Sequence, residues 1–136
     1  MSYTTFNEVL KDIKTVEDMQ KKLNMVMVEL LKFNFADWVW LDLPEGTPPY
    51  KELNGGPDLA YEKLVSQRTS RMFSIWMNKE VKQIKRESLF IEYLESLYAE
   101  EAKLLVAIKD KKVSEMFPNI TRELFDAAFP NELVIK

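Results

Sequence analysis

The stretch Leu41-Asp-Leu-Pro-Glu-Gly-Thr-Pro-Pro-Tyr50 divides the chain into two parts that must fold differently from it. Its three prolines and one glycine cannot continue a helix, because proline lacks a backbone donor and clashes with the preceding turn. A second breaker, Asn54-Gly-Gly-Pro57, follows, so residues 41–57 are predicted to form a long, ordered, proline-rich loop. Such a length is uncommon inside a compact domain, and it indicates a loop that is packed by its own side chains or is functional.

The sequence on either side of this loop predicts helices. Only three of the 136 residues are glycine, and 46% are apolar, which favours helices and is ample for one buried core. The predicted fold is therefore an all-α single domain of five to six helices. It comprises an N-terminal helical arm (1–40), the loop (41–57), a helical body (58–130) and a tail (131–136).

Local signals place the helices. Thr5-Phe-Asn-Glu8 is typical of a capping box, Thr15 is predicted to start a second helix that runs to Phe33, and Thr121 is predicted to cap the last one. Apolar residues recur at helical spacing from 59 to 77, with Asp58 as the predicted cap, from 81 to 98, and from 100 to 109. Residues 33–43 fit either a short strand or a helix that ends near Trp40, and the helix is favoured.

The absence of two residue types excludes several chemistries. The chain has no cysteine and no histidine, so disulfides, a Ser-His-Asp triad and a histidine metal site cannot form within it. Glu92 and Glu95 stand at the i, i+3 spacing of carboxylate metal sites, but the histidine of that pattern is missing. We therefore predict a protein that is not an enzyme, with no catalytic residue, cofactor or metal.

The expected location is the cytoplasm. The N-terminus shows no basic region followed by an apolar core, and no apolar run approaches the roughly 20 residues that cross a bilayer. Nothing in the sequence decides whether the apolar seam over residues 16–33 is used within one chain or between two, so the oligomeric state is left open.

The loop and its flanks are the best candidates for recognition of a partner. Tryptophan and tyrosine are enriched at binding hot spots, and prolines present a rigid surface. The competing interpretation is that the tryptophans anchor the loop in the core, and it is favoured because large aromatic residues are highly buried on average. The candidate residues here are Trp38, Trp40, Pro44, Glu45, Pro48, Pro49 and Tyr50.

A basic stretch forms a second candidate surface. Residues 63–86 contain seven basic residues and one acidic residue, whereas residues 87–101 contain five acidic residues and no basic ones. The basic side chains could neutralise phosphates, or they could form a solvated helix face that pairs with the acidic run. The candidate contact residues are Arg68, Arg71, Lys79, Lys82, Lys85 and Arg86.

The octapeptide Leu43-Pro-Glu-Gly-Thr-Pro-Pro-Tyr50 resembles the signature of a family of small proteins from T-even-type tailed phages. Weaker similarities extend the resemblance over residues 40–131: Arg86-Glu87 before Phe90 and Leu94, Lys109-Asp-Lys-Lys112, and Ala128-Phe129-Pro130. The resemblance implies a phage protein that is made in the host bacterial cytoplasm.

This chain is also similar, in its small size and acidity, to phage accessory proteins that bind host RNA polymerase. The resulting expectation is a non-enzymatic accessory protein that binds and modulates a host protein complex, with RNA polymerase as the first candidate. The alternatives are a nucleic-acid-binding accessory protein that uses the basic stretch 63–86, and a component of the virion or its assembly.

Overall fold

The computed structural model describes residues 3–134, and this part of the chain forms an all-α domain, as predicted. It contains eight α-helices and no strand, so the expected number of five or six helices is too low. The helices are α1 (Phe6–Lys11), α2 (Val16–Lys22), α3 (Met25–Phe35), α4 (Gln67–Trp76), α5 (Gln83–Ser96), α6 (Ala99–Lys109), α7 (Val113–Met116) and α8 (Arg122–Ala128). A single 3₁₀ turn, Pro57–Leu59, interrupts the long connection before α4. The predicted tail, 131–136, is described as far as Val134.

The predicted helix starts are confirmed where a side chain caps the backbone. Thr15 and Asp18 form a full capping box at α2, and the Thr121 hydroxyl accepts a bond from the backbone N–H of Leu124 at α8. At α1 the Thr5 hydroxyl accepts from the N–H of Glu8 at 3.1 Å, which is one half of the predicted box. Each bond satisfies a backbone donor that has no partner within its own helix.

The second helix is shorter than predicted, because the chain breaks between Leu23 and Asn24. Leu23 ends α2 in an extended conformation, and the Asn24 side chain accepts a 2.9 Å bond from the N–H of Met27 and so begins α3. The break lets the two helices pack on different partners: α2 lies against α8, whereas α3 lies against α6 and α4. The apolar seam over residues 16–33 therefore does not belong to one continuous helix.

Two other predicted boundaries are wrong. The arm helix ends at Phe35 and not near Trp40, and α4 begins at Gln67 and not at residue 59. Residues 60–66 instead run beside the junction of α5 and α6, where the backbone N–H of Glu62 donates to the Ser96 carbonyl at 3.0 Å. Asp58, the predicted cap, accepts a 2.6 Å bond from the N–H of Tyr3. In the segment before α4, tertiary hydrogen bonds therefore outweigh the local helical spacing.

Helix α6 occupies the centre of the domain, and α1, α3, α5 and α7 pack around it. Its predicted inward residues Leu104, Leu105 and Ile108 are buried, as are most other residues of the helix. A helix that is buried on nearly all sides is expected at the middle of an α-helical core. No helix in residues 3–134 combines the length and the apolar character needed to cross a membrane.

Aromatic rings fill the space between α4 and α5. The ring centroid of Trp76, which is fully buried, lies 5.0 Å from that of Phe90 and 5.5 Å from those of Phe73 and Tyr93. The contacts with Phe90 and Tyr93 are edge-on, which is the arrangement that the ring quadrupoles favour. Trp76 is therefore the tryptophan of the core.

Candidate functional site

The proline-rich loop wraps around the C-terminal end of α6. The buried ammonium group of Lys109 donates to the carbonyl oxygens of Pro44 at 2.7 Å and Gly46 at 3.0 Å, and it contacts the Asp110 carboxylate at 2.5 Å. Asp110 in turn accepts a 3.0 Å bond from the N–H of Gly46. All three ammonium protons of Lys109 therefore have partners, which offsets much of the cost of burying the charge.

Arg86 holds the start of the same loop. Its guanidinium bonds the Asp42 carbonyl at 3.0 Å, lies 3.1 Å from the Asp42 carboxylate, and also donates to the carbonyls of Asn78 and Val81. Arg86 is only 5% exposed, so the prediction that it contacts a partner is wrong. Its contacts hold the start of the loop instead.

The two tryptophans before the loop are on the surface. Trp38 is 39% exposed and Trp40 is 58% exposed, so the favoured interpretation that both anchor the loop in the core is wrong. The Trp40 indole donates to the Asp37 carbonyl at 3.2 Å, and the ammonium group of Lys111 lies 4.7 Å from the centre of its ring.

The other loop candidates divide by exposure. Pro44, Glu45 and Pro49 are exposed, whereas Pro48 and Tyr50 are half-buried and face inward in part. Tyr50 packs against the edge of the core, and burial raises its pKa, with the nearby Glu52 carboxylate adding to the effect. A cavity of about 320 Å³ lies between the loop and α5 and is lined by Pro48, Phe90 and Ile91 among others.

A larger groove, of about 800 Å³, lies beside Trp38. Its walls come from the outer face of α3, from Trp38 and Val39, from Met77 after α4, and from Phe129 after α8. Met25, at one end of the groove, is 88% exposed. The polar residues that line the groove are Asn24, Glu29, Lys32 and Glu132. Glu29 accepts a 3.0 Å bond from the Ser70 hydroxyl, and Lys32 pairs with Glu132 at 3.4 Å. We call this feature, together with Trp38 and Trp40, the tryptophan surface.

The remaining basic candidates are exposed but do not lie on a single helix. Arg68 and Arg71 belong to α4, Lys79 lies in the turn that follows, and Lys82 and Lys85 flank the start of α5. Arg68 is also paired, since its guanidinium lies 3.3 Å from the Glu62 carboxylate. Among the predicted contact residues, the exposed ones that form no ion pair in the described part of the chain are therefore Arg71, Lys79, Lys82 and Lys85.

Two glutamates of the acidic run 87–101 make separate structural contacts. The Glu95 carboxylate accepts a 2.8 Å bond from the N–H of Lys51. Glu101 is fully buried and accepts from the Tyr3 hydroxyl at 2.7 Å and from the N–H groups of Phe6 at 2.9 Å and Leu64 at 3.1 Å. Within residues 3–134, no three acidic side chains lie close enough together to hold a metal ion.

Sequence reasoning missed the residues that shape the site. Met25, Met77 and Phe129 line the groove, but their spacing along the chain gives no sign that they meet. The positive charges of Lys109 and Lys111 suit the C-terminal end of a helix, but no local pattern shows which carbonyls a lysine will reach. The one available signal was the density of lysines in Lys109-Asp-Lys-Lys112, directly after a strongly apolar helix.

Comparison with known proteins places the chain in a family. Residues 7–115 match the model of a family of unknown function, DUF6433, and the chain belongs to that family. The match spans α1 to α7 and so includes the tryptophans and the whole proline-rich loop. No curated protein and no solved structure matches the chain.

Proposed function

We propose that this chain is a non-enzymatic accessory protein that binds and modulates a protein complex of its host, with RNA polymerase as the first candidate. The observation that carries the proposal is the exposure of two neighbouring tryptophans, Trp38, which lines an apolar groove, and Trp40. Exposed tryptophans are costly to leave in water, and tryptophan is the residue most enriched among binding hot spots.

The composition of the groove suits a protein partner. Methionine, aromatic and aliphatic side chains make up most of its lining, and three charged residues, Glu29, Lys32 and Glu132, complete it. Protein interfaces combine apolar and aromatic residues with polar groups in this way. Met25 and Met77 have flexible side chains that can adapt to an incoming apolar residue. We expect an aromatic or branched side chain of the partner to enter this groove.

The resemblance to small proteins of T-even-type phages supports a host complex as the partner. It rests on Leu43-Pro-Glu-Gly-Thr-Pro-Pro-Tyr50 and the weaker similarities over residues 40–131. Small phage proteins commonly act by binding a machine of the host, and RNA polymerase is a frequent target. The site of action under this proposal is the host bacterial cytoplasm.

A second candidate function is nucleic-acid binding, which the exposed charges of Arg71, Lys79, Lys82 and Lys85 favour. The exposed side chain of Ile84 lies among them on α5. Binding of this kind weakens steeply as the salt concentration rises, because each phosphate contact releases counterions. The net charge of −3 and the pairing of Arg68 with Glu62 count against it.

The test is direct binding to purified bacterial RNA polymerase, measured by interferometry at about 0.15 M salt. The wild-type protein is expected to bind, and the double variant Trp38→Ala/Trp40→Ala is expected to lose at least about tenfold in affinity, as the loss of a hot-spot tryptophan does. The variant Tyr61→Ala, which removes an exposed aromatic residue outside the groove, serves as the matched control. No binding of the wild type, or equal losses in both variants, would contradict the proposal.

A parallel measurement with DNA and RNA probes separates the second candidate. Affinity that falls steeply between about 0.05 and 0.2 M salt and is reduced by Lys82→Ala/Lys85→Ala would support nucleic-acid binding. An affinity that does not change over this range of salt concentration would exclude nucleic-acid binding as the function.

A further inference from the structure

Lys111 has a backbone conformation that lysine rarely adopts. Its φ is 61°, which makes it the one non-glycine residue with positive φ in the described part of the chain. It occupies the first position after the cap of α6, where the N–H of Lys112 reaches back to the Ala107 carbonyl at 2.7 Å. Helices that end in this way usually have glycine at that position, because a Cβ atom is strained there.

The side chain of Lys111 makes contacts that glycine could not make. Its ammonium group donates to the carbonyls of Phe33 at 2.5 Å and Ala36 at 2.6 Å, at the C-terminal end of α3. The carbonyls in the last turn of a helix lack partners within it, and a positive charge also complements the helix dipole. The same ammonium group lies 4.7 Å from the centre of the Trp40 ring.

A second cation binds another carbonyl at the end of α3. The Arg122 guanidinium donates to the Phe35 carbonyl and lies 3.6 Å from the Asp37 carboxylate. Arg122 thus helps to close the end of α3, but the contact with Trp40 is made by Lys111. The neighbouring Lys112 is exposed, and its ammonium group lies 3.8 Å from the Glu45 carboxylate, which is a long and solvent-exposed ion pair. Lys112 is therefore a weakly held lysine in the same turn.

We infer that Lys111 is the positioning residue of the tryptophan surface: its ammonium group fixes the direction in which the chain leaves α3 and thereby sets where Trp38 and Trp40 stand. The strained backbone at Lys111 is retained because the side chain at that position is needed. Strain of this type is commonly found at functional sites. The biological meaning of the inference rests on the proposed function, but the geometry is tested in the free protein.

The experiment compares Lys111→Gly with Lys112→Gly. Glycine at position 111 removes the side chain and also removes the backbone strain, so the fold should persist. The segment 33–40 should lose the contacts that hold it. Hydrogen exchange of the peptide spanning 33–40 is expected to accelerate at least about tenfold in Lys111→Gly, since a hydrogen bond to a charged group is worth that factor or more. The peptide should exchange at the wild-type rate in Lys112→Gly.

Fluorine NMR of 5-fluorotryptophan-labelled protein gives a second readout, because the chain has three tryptophans and two are exposed. The Trp40 resonance is expected to shift and sharpen in Lys111→Gly, whereas the resonance of the buried Trp76 should not move. Lys111→Arg, which keeps a positive charge within reach of the same carbonyls, should restore both readouts toward the wild type.

Two results would overturn the inference. The first is unchanged exchange over 33–40 with an unchanged Trp40 resonance, which would mean that the contacts of Lys111 do not hold the arm. The second is an equal change at Trp76 and throughout the chain, which would mean that Lys111 supports the whole fold. Neither result depends on a partner, so a failure here is distinguishable from a failure of the proposed function.

Discussion

The ammonium group of Lys109 lies 2.7 Å from the carbonyl oxygen of Pro44, which ties the centre of the proline-rich loop to the last residue of the central helix. Two residues later, Lys111 reaches the end of α3 from the same turn. The C-terminal end of α6, from Lys109 to Lys111, therefore holds both the proline-rich loop and the end of α3, after which the exposed tryptophans follow.

Replacing Lys109 by methionine should destabilise the protein strongly. The change keeps the apolar stem of the side chain but leaves two carbonyls and the buried Asp110 carboxylate without their cation. We expect a loss of about 3 kcal/mol in the free energy of unfolding, measured by urea denaturation. Lys112→Met is the control, and its exposed 3.8 Å ion pair should be worth less than about 1 kcal/mol. Equal losses in the two variants would show that the loop is not held by Lys109.

Glu101→Gln should destabilise the junction of α1, α6 and the segment before α4. The buried carboxylate accepts three hydrogen bonds, from Tyr3, Phe6 and Leu64. An amide has two donor hydrogens, so at least one must face a backbone N–H, at an expected cost of about 1–3 kcal/mol. Glu100→Gln changes an exposed neighbour and should cost less than about 1 kcal/mol. A Glu101→Gln protein as stable as the wild type would contradict this account of the junction.

The stability of the protein should fall at high pH in a way that depends on Tyr3. Burial raises the pKa of this tyrosine, and its hydrogen bond to Glu101 raises it further. The unfolded chain releases the proton near pH 10, whereas the folded protein keeps it, so the contribution of Tyr3 is complete below that pH and is lost as the pH rises above it.

The measurement compares the wild type with Tyr3→Phe by denaturation between about pH 8 and pH 11. The difference between the two cancels the titration of Tyr50 and Tyr93, whose pKa values are also raised by burial. The free energy of unfolding of the wild type should decline relative to that of the variant as the pH rises. Two curves that stay parallel would mean that Tyr3 is not protected in the folded state.

Helix starts could be predicted from the sequence because a cap is a local interaction. Thr15 and Thr121 bond backbone groups three residues away, and no distant contact is needed to explain them. The break between α2 and α3 at Asn24 could not be predicted, because the apolar residues keep their helical spacing across it. The direction of α3 depends instead on its packing against α4 and α6, which helical periodicity does not encode.

Exposure of the tryptophans could not be predicted either. Residue type favours burial for all three, but only Trp76 stands where α4 and α5 form an aromatic pocket. Trp38 and Trp40 follow the end of α3, and their exposure is set by where Lys111 and Arg122 direct the chain. The two residues could therefore be identified from the sequence as candidates, but the burial that was favoured for them is wrong.

The break between α2 and α3 gives a further prediction. Asn24→Ala removes the side-chain acceptor for the N–H of Met27 and should lower the free energy of unfolding by about 1 kcal/mol. Asn24→Ser keeps an oxygen acceptor at the same position and should stay close to the wild type. If alanine is as stable as asparagine, the two helices are not separated by this cap.

The central prediction is that Trp38 and Trp40 form a surface that binds another protein. The most direct measurement is quantitative affinity capture from bacterial lysate with three tagged baits: the wild type, Trp38→Ala/Trp40→Ala and Tyr61→Ala. We predict that the wild type and Tyr61→Ala recover the same partner in stoichiometric amount, with RNA polymerase subunits the first candidates. The double tryptophan variant should keep the wild-type melting temperature and lose the partner. Recovery of that partner by all three baits, or by none, would contradict the claim.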